Sequence, residues 1–101
     1  MEDAVKILKA LSDETRFKIV GFLLDGEKYA CEIISHVKKD QSTVSIHLGK
    51  LKSVGLLESR KDGRKAIYHI KDYRVCDIFR ALGFSEGRML KKACCMKVDR
   101  I

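Results

Sequence analysis

The stretch Asp40-Gln41-Ser42-Thr43-Val44-Ser45-Ile46-His47-Leu48-Gly49-Lys50-Leu51-Lys52-Ser53-Val54-Gly55-Leu56-Leu57 decides the fold. Val44, Leu48 and Leu51 recur at i, i+4 and i+7, which places them in one stripe of a helix. Ser42, Ile46, Gly49 and Ser53 fall on the opposite side, which is small and nearly uncharged. A helix face that meets only water normally carries charged residues. Hydroxyls, a glycine and one isoleucine suit close approach to a structured partner instead. The major groove of double-stranded DNA admits a helix and is the leading candidate. Asp40 stands where this helix needs an N-cap, and Gly55 where it must stop.

Upstream, Ala30, Ile33, Ile34 and Val37 repeat at helical spacing, and Lys38-Lys39-Asp40 makes the turn into the quoted helix, a helix-turn-helix pattern. Before it, Ala4, Ile7, Leu8 and Leu11 mark a first amphipathic helix. Ser12 ends that helix and offers a capping hydroxyl to the next, with Asp13 and Glu14 at its positive end. Phe17, Val20, Leu23 and Leu24 form the buried side of the second helix, which Asp25-Gly26 terminates. Downstream the period changes to two: Leu57, Ser59 and Lys61, then Ala66, Tyr68 and Ile70, flank Asp62-Gly63, a strong hairpin signal. Arg60, Lys61, Arg64 and Lys65 make its tip cationic, so the ribbon reads as a wing that reaches phosphates beside the recognition helix. Val75, Ile78, Phe79 and Leu82 define a fifth helix ending near Gly83, and Met89, Leu90, Ala93 and Met96 a sixth. The expected fold is mainly α with a β-hairpin wing, a winged helix-turn-helix of five to six helices.

At 101 residues the chain is expected to be a single domain, residues 1–101, small enough to gain from a second subunit. The helices in 1–24 and 72–101, with more apolar side than so small a core covers, are expected to contribute to a dimer interface. Lys and Arg number 21 against 14 Asp and Glu, a formal charge of +7, which favours a polyanionic partner. No apolar run approaches the roughly 18 residues of a membrane span, and Met1-Glu2-Asp3 lacks the basic and apolar regions of a signal peptide. A cytoplasmic protein with no membrane partner is expected, and its four cysteines are then reduced thiols open to metal ligation or redox chemistry. Neither a nucleophile–base–orienter cluster nor a phosphate loop or organic-cofactor motif is present, so an enzyme is not expected.

Four stretches carry a family resemblance: Leu8 to Val20, Gln41 to Leu48, Leu51 to Leu57 and Asp62 to Ile70. Through them the chain resembles the ArsR/SmtB family of winged-helix metalloregulatory repressors. The resemblance implies a homodimer that represses transcription on a palindromic operator and lets go when an inducer binds.

On the recognition helix, Gln41, Ser42, Thr43, Ser45 and Ile46 are the candidate readers of base edges and phosphates. Gln suits adenine, hydroxyls suit base or phosphate, and Ile46 suits a thymine methyl. Lys50 joins them, with Arg60, Lys61, Arg64 and Lys65 of the wing. His47 lies on the shoulder of the buried stripe and reads as half-buried support, hydrogen-bonded to a neighbouring loop. His36 and His69 have no partner at ligand spacing. Zinc-sensing relatives place Asp and His along the fifth helix, where this chain offers Asp72 and Asp77 but no histidine, so a zinc site of that type is not expected.

Relatives that sense arsenic, antimony, lead or cadmium carry Cys-x-Cys on the third helix. Cys31 matches its second cysteine and Tyr29 stands in place of the first. A thiolate shell therefore recruits sulfur from elsewhere, and Cys94 and Cys95 are the source. Trivalent arsenic or antimony favours three sulfurs, which Cys31, Cys94 and Cys95 supply within or across subunits, and a soft divalent ion such as cadmium or lead is the other inducer class. Cys76 reads as packing. The function expected is a DNA-binding transcriptional repressor whose operator binding is relieved by a thiophilic metal or metalloid at these cysteines. Alternatives are a winged-helix regulator responding to thiol oxidation or to a non-metal signal, and a winged-helix protein-interaction module.

Overall fold

A computed structural model of the chain describes residues 2–83. Cys94, Cys95, the sixth helix and most of the 72–101 segment expected at a dimer interface lie outside the described residues. The order is α1 (Glu2–Leu11), α2 (Glu14–Phe22), a 3-10 turn (Leu23–Asp25), β1 (Lys28–Tyr29), α3 (Ala30–Val37), α4 (Gln41–Ser53), β2 (Leu57–Asp62), β3 (Lys65–Ile70) and α5 (Arg74–Ala81). This is the winged helix-turn-helix with its hairpin. None of the described helices is long and apolar enough to cross a membrane.

The core is one cluster drawn from every helix and from the sheet. Ile19, Val20, Leu24, Ile33, Val44, Leu51, Leu56, Val75 and Cys76 are fully buried in it. Truncating one of these, as in Leu51→Ala, removes buried surface and leaves a cavity, a loss of about 2–5 kcal/mol. The stripe in α1 differs from the expected one. Ile7, Ala10 and Leu11 face inward, whereas Ala4 and Leu8 are exposed, and Val5 with them. The helix is rotated by about one residue because small Ala10 lets it approach the core.

Helix α2 is capped by Asp13, not Ser12. The Asp13 Oδ2 accepts the Arg16 backbone N–H at 3.0 Å, while the Ser12 hydroxyl donates back to the Lys9 carbonyl at 2.7 Å. Gly21 sits in this helix for a packing reason, since a Cβ there would stand 3.3 Å from the Phe79 ring of α5, which stacks on Phe17 with centroids 4.4 Å apart.

The sheet is three-stranded, ordered β1-β3-β2 and antiparallel throughout. Asp62 pairs with Lys65, so the connecting residues are Gly63 and Arg64 rather than Asp62 and Gly63. Gly63 alone takes positive φ (67°), as a turn with glycine at its first central position requires. The two-residue strand β1 is an addition to the sequence reading; it pairs Lys28 with Tyr68 and Tyr29 with Ile67.

Candidate nucleic-acid interface

Helix α4 is set by its two ends and its buried stripe. Lys38 turns the chain with φ 58°, and Asp40 then caps the helix: its carboxylate accepts the Thr43 N–H at 3.2 Å and the Thr43 hydroxyl at 2.7 Å. Those bonds hold the Asp40 carboxyl below its ordinary value, the Thr43 hydroxyl contributing most. At the far end Gly55 takes φ 86° and the Leu56 N–H returns to the Leu51 carbonyl at 3.0 Å. Val44, Leu48 and Leu51 are buried.

The opposite face stands free. Gln41, Ser42, Ser45, Ile46, Gly49, Lys50 and Ser53 are exposed. Ile46 is 71% exposed, well above the other large apolar side chains that face solvent. A Cβ added at Gly49 would meet no atom within 4 Å. Unlike Gly21, then, Gly49 has no packing reason inside the described fold, and it costs helix stability. Thr43 is half-buried, with its hydroxyl proton committed to Asp40.

His47 is held by α2. Its Nδ1 lies 3.4 Å from Arg16 Nη1 and 3.8 Å from Asp13 Oδ2, and its side chain is 17% exposed. Arg16 also donates from Nε to the Ala10 carbonyl at 2.7 Å. One guanidinium therefore ties the end of α1 and the start of α2 to the middle of α4. The Asp13 carboxyl is held low, first by the Arg16 backbone N–H, with His47 adding to it.

The cations of the wing are not equivalent. Arg60 forms a two-pronged pair with Glu27, at 2.7 and 2.9 Å, which keeps the Glu27 carboxyl below its ordinary value and raises Arg60. Lys65 lies over the Tyr29 ring, 5.3 Å from its centroid. Lys61 and Arg64 are exposed and make no ion pair among the described residues. The Tyr29 hydroxyl donates to Asp62 at 2.6 Å, which raises the Tyr29 phenol. The wing is thus fastened at its tip to the residue that precedes α3.

Cys31, two residues on, is an exposed free thiol in the first turn of α3. Cys76 is fully buried on α5. Among the described residues no three His, Cys, Asp or Glu side chains gather closely enough to hold a metal ion. His36 stacks on Phe22 at 3.9 Å, and His69 meets Glu58 at 3.1 Å. Asp72 and Asp77 bind Arg74 and Arg80.

A family model described as "Bacterial regulatory protein, arsR family" matches residues 13–59, from the α2 cap through the start of the wing. The arsenical resistance operon repressor of Staphylococcus aureus is 38% identical over 76 residues, which cover 75% of this chain and 73% of that protein. A probable mercury resistance operon repressor of Streptomyces lividans is 36% identical over 77 residues, covering 76% of this chain but only 62% of the relative's length. Among solved structures, the homodimeric winged helix-turn-helix DNA-binding domain Mb0332 of Mycobacterium bovis, a possible ArsR-family transcriptional regulator, superposes with a TM-score of 0.73 at 30% identity, covering 80% of this chain and 75% of that one.

Proposed function

The chain belongs to the arsR family of bacterial regulatory proteins, and on that premise we propose that it is a homodimeric transcriptional repressor that grips a palindromic operator and releases it when a thiophilic metal or metalloid binds its cysteines. The observation that carries the reading is the outward face of α4. An isoleucine 71% exposed stands beside a glycine with open space above it, on a helix whose other side is buried, next to a cationic ribbon. Gln41, Ser42, Ser45 and Ile46 meet base edges, and Thr43, its proton held by Asp40, offers an oxygen to the groove. Lys50, Lys61, Arg64 and Lys65 meet phosphates, while Arg60 does so once it leaves Glu27. Two such helices related by a dyad read half-sites about one helical turn, roughly 34 Å, apart.

Cys31 supplies the inducer's first sulfur, and Cys94 and Cys95 complete a three-sulfur shell. Among the described residues the exposed donor for a soft ion is the free Cys31 thiol, so the shell depends on those two. The relatives' names, an arsenical and a mercury resistance operon repressor, support an ion of this soft class. Cys31 is well placed for control because Tyr29 ties the same turn to the wing, while α3 leads directly into the cap of α4. A coupling of about 3 kcal/mol changes affinity by about two orders of magnitude. The test is binding to a palindromic duplex with arsenite, antimonite, cadmium, lead and zinc added under reducing conditions. Release by a soft ion, lost in Cys31→Ser and in the double variant Cys94→Ser, Cys95→Ser, supports the reading. Release only by an oxidant overturns it, since exposed thiolates are also oxidisable.

A further inference from the structure

An open cleft of about 310 Å³ lies between α1, the start of α2 and the C-terminal half of α4. Lys6, Lys9, Arg16 and Lys50 converge on it, with Ala10 and Val54 as its apolar floor. No carboxylate lines it among the described residues. Elsewhere the described fold mixes its signs: Lys18 sits on Glu14, Lys28 on Asp25, Arg60 on Glu27, Arg74 on Asp3 and Asp72, and Arg80 on Asp77. Lys6, Lys9 and Lys50 make no ion pair among the described residues, and each is exposed. Arg16 is fixed in place by the Ala10 carbonyl and His47, so one cation of the cleft is preorganised. Ser53 spends its proton on the Lys50 carbonyl at 2.8 Å and offers no donor. A concavity that gathers cations without an acid is complementary to an anion.

We propose that this cleft takes a backbone phosphate of the same DNA duplex that α4 reads. Lys50 follows Ile46 by one helical turn and Ser53 follows Gly49 by another, so the cleft continues the reading face of α4 instead of lying behind it. A helix in the major groove is flanked by phosphates on both sides, and Lys and Arg at such positions fix the register of the protein on the duplex. The α1 lysines, far from α4 in sequence, thereby become part of the DNA interface. The proposal rests on the DNA-binding reading above.

The test is the salt dependence of binding to a palindromic duplex, for the wild-type protein, the double variant Lys6→Gln, Lys9→Gln, and Lys18→Gln as a control that removes one cation of α2 lying outside the cleft. With one phosphate held per protomer, the dimer's log–log salt slope becomes shallower by about 2 in the double variant, and affinity near 0.1 M salt falls several tens-fold. Lys18→Gln leaves the slope within error, and circular dichroism of the double variant matches wild type. A steep wild-type slope that the double variant shares overturns the cleft proposal and leaves the DNA-binding reading standing. A wild-type protein that binds without salt dependence overturns both. Inorganic phosphate is titrated without DNA against chloride of equal ionic strength. Thermal stabilisation by phosphate that needs Lys6 and Lys9, with an unchanged duplex slope, assigns the cleft to a free anion and overturns the proposal.

Discussion

Gly49 and Asp40 show what single residues contribute to α4. Gly49 lies mid-helix with open space where a Cβ would go, so Gly49→Ala is expected to stabilise the folded chain by about 0.5–1 kcal/mol. The same methyl stands on the face offered to the groove, and binding to the duplex is expected to weaken about tenfold. Thermal unfolding and duplex titration of one variant check both; a stabilised variant that binds as tightly as wild type removes Gly49 from the interface. Asp40 and Asp13 both have carboxyls held below their ordinary value near 3.8, Asp40 first by the Thr43 hydroxyl and then by its backbone N–H, Asp13 first by the Arg16 backbone N–H. A carboxyl lowered on folding stabilises the fold above its unfolded value, and that contribution is lost as pH falls through the lower folded value. Urea midpoints measured from about pH 5 to 2 should fall. Asp40→Asn, which keeps a capping oxygen without the titrating group, should fall less steeply. Equal slopes would show that the Asp40 cap does not titrate in this way.

At the scale of elements, the wing is held by two contacts distant in sequence, Tyr29 with Asp62 and Glu27 with Arg60. Tyr29→Phe removes the first, and hydrogen exchange of β2 and β3 near Gly63 is expected to quicken while the exchange of α2 and α4 is unchanged. Glu27→Gln releases Arg60, and the salt slope of duplex binding is expected to steepen by up to about 0.9 per protomer; an unchanged slope means Arg60 does not reach a phosphate. These contacts also mark where a sequence stops being readable. The stripe of α4, the Asp40 cap, the Gly55 stop and the hairpin were legible because each is local, set by spacing or by one residue's conformational preference. Strand β1 has two residues and no period to read. Glu27 and Arg60 pair across 33 positions, and nothing near either residue announces it. Ser12 and Asp13 are both good caps, and only the path of the chain decides between them. Position 47 was legible as support, and its partners are Asp13 of the α1–α2 connection and Arg16 of α2, the latter arriving from 31 residues away. Lys6 and Lys9 carry no local signal of a site, because the cleft they line is completed by Lys50, Ser53 and Val54, more than 40 positions away.

At the scale of the whole molecule, the cations of the described residues divide into paired and unpaired groups. Among the described residues, Lys61 and Arg64 at the wing tip and Lys6, Lys9 and Lys50 on the cleft beside α4 make no ion pair, as is also true of Lys38, Lys39 and Lys71, whereas Lys18 of α2 and Arg74 and Arg80 of α5 are paired. The exposed apolar residues also have places: Ile46 on the reading face, and Val5 and Leu8 on α1 with Leu82 after α5. Exposed apolar residues on α1 and just after α5 suit a two-fold interface, and one of the solved structures this chain resembles is a homodimeric domain. Leu8→Glu is expected to sediment as a monomer at about 10 μM and to lose duplex binding by at least a hundredfold, since one protomer holds only one half-site. A Leu8→Glu protein that remains dimeric would move the interface away from α1. The most direct measurement for the switch as a whole is fluorescence anisotropy of a palindromic duplex, half-sites one turn apart, with wild type and Cys31→Ser under reducing conditions as arsenite or cadmium is added. The expected result is tight binding by both proteins, with release of about a hundredfold for wild type and little or none for Cys31→Ser. Failure of the wild type to bind the duplex, or equal release from both proteins, would contradict it.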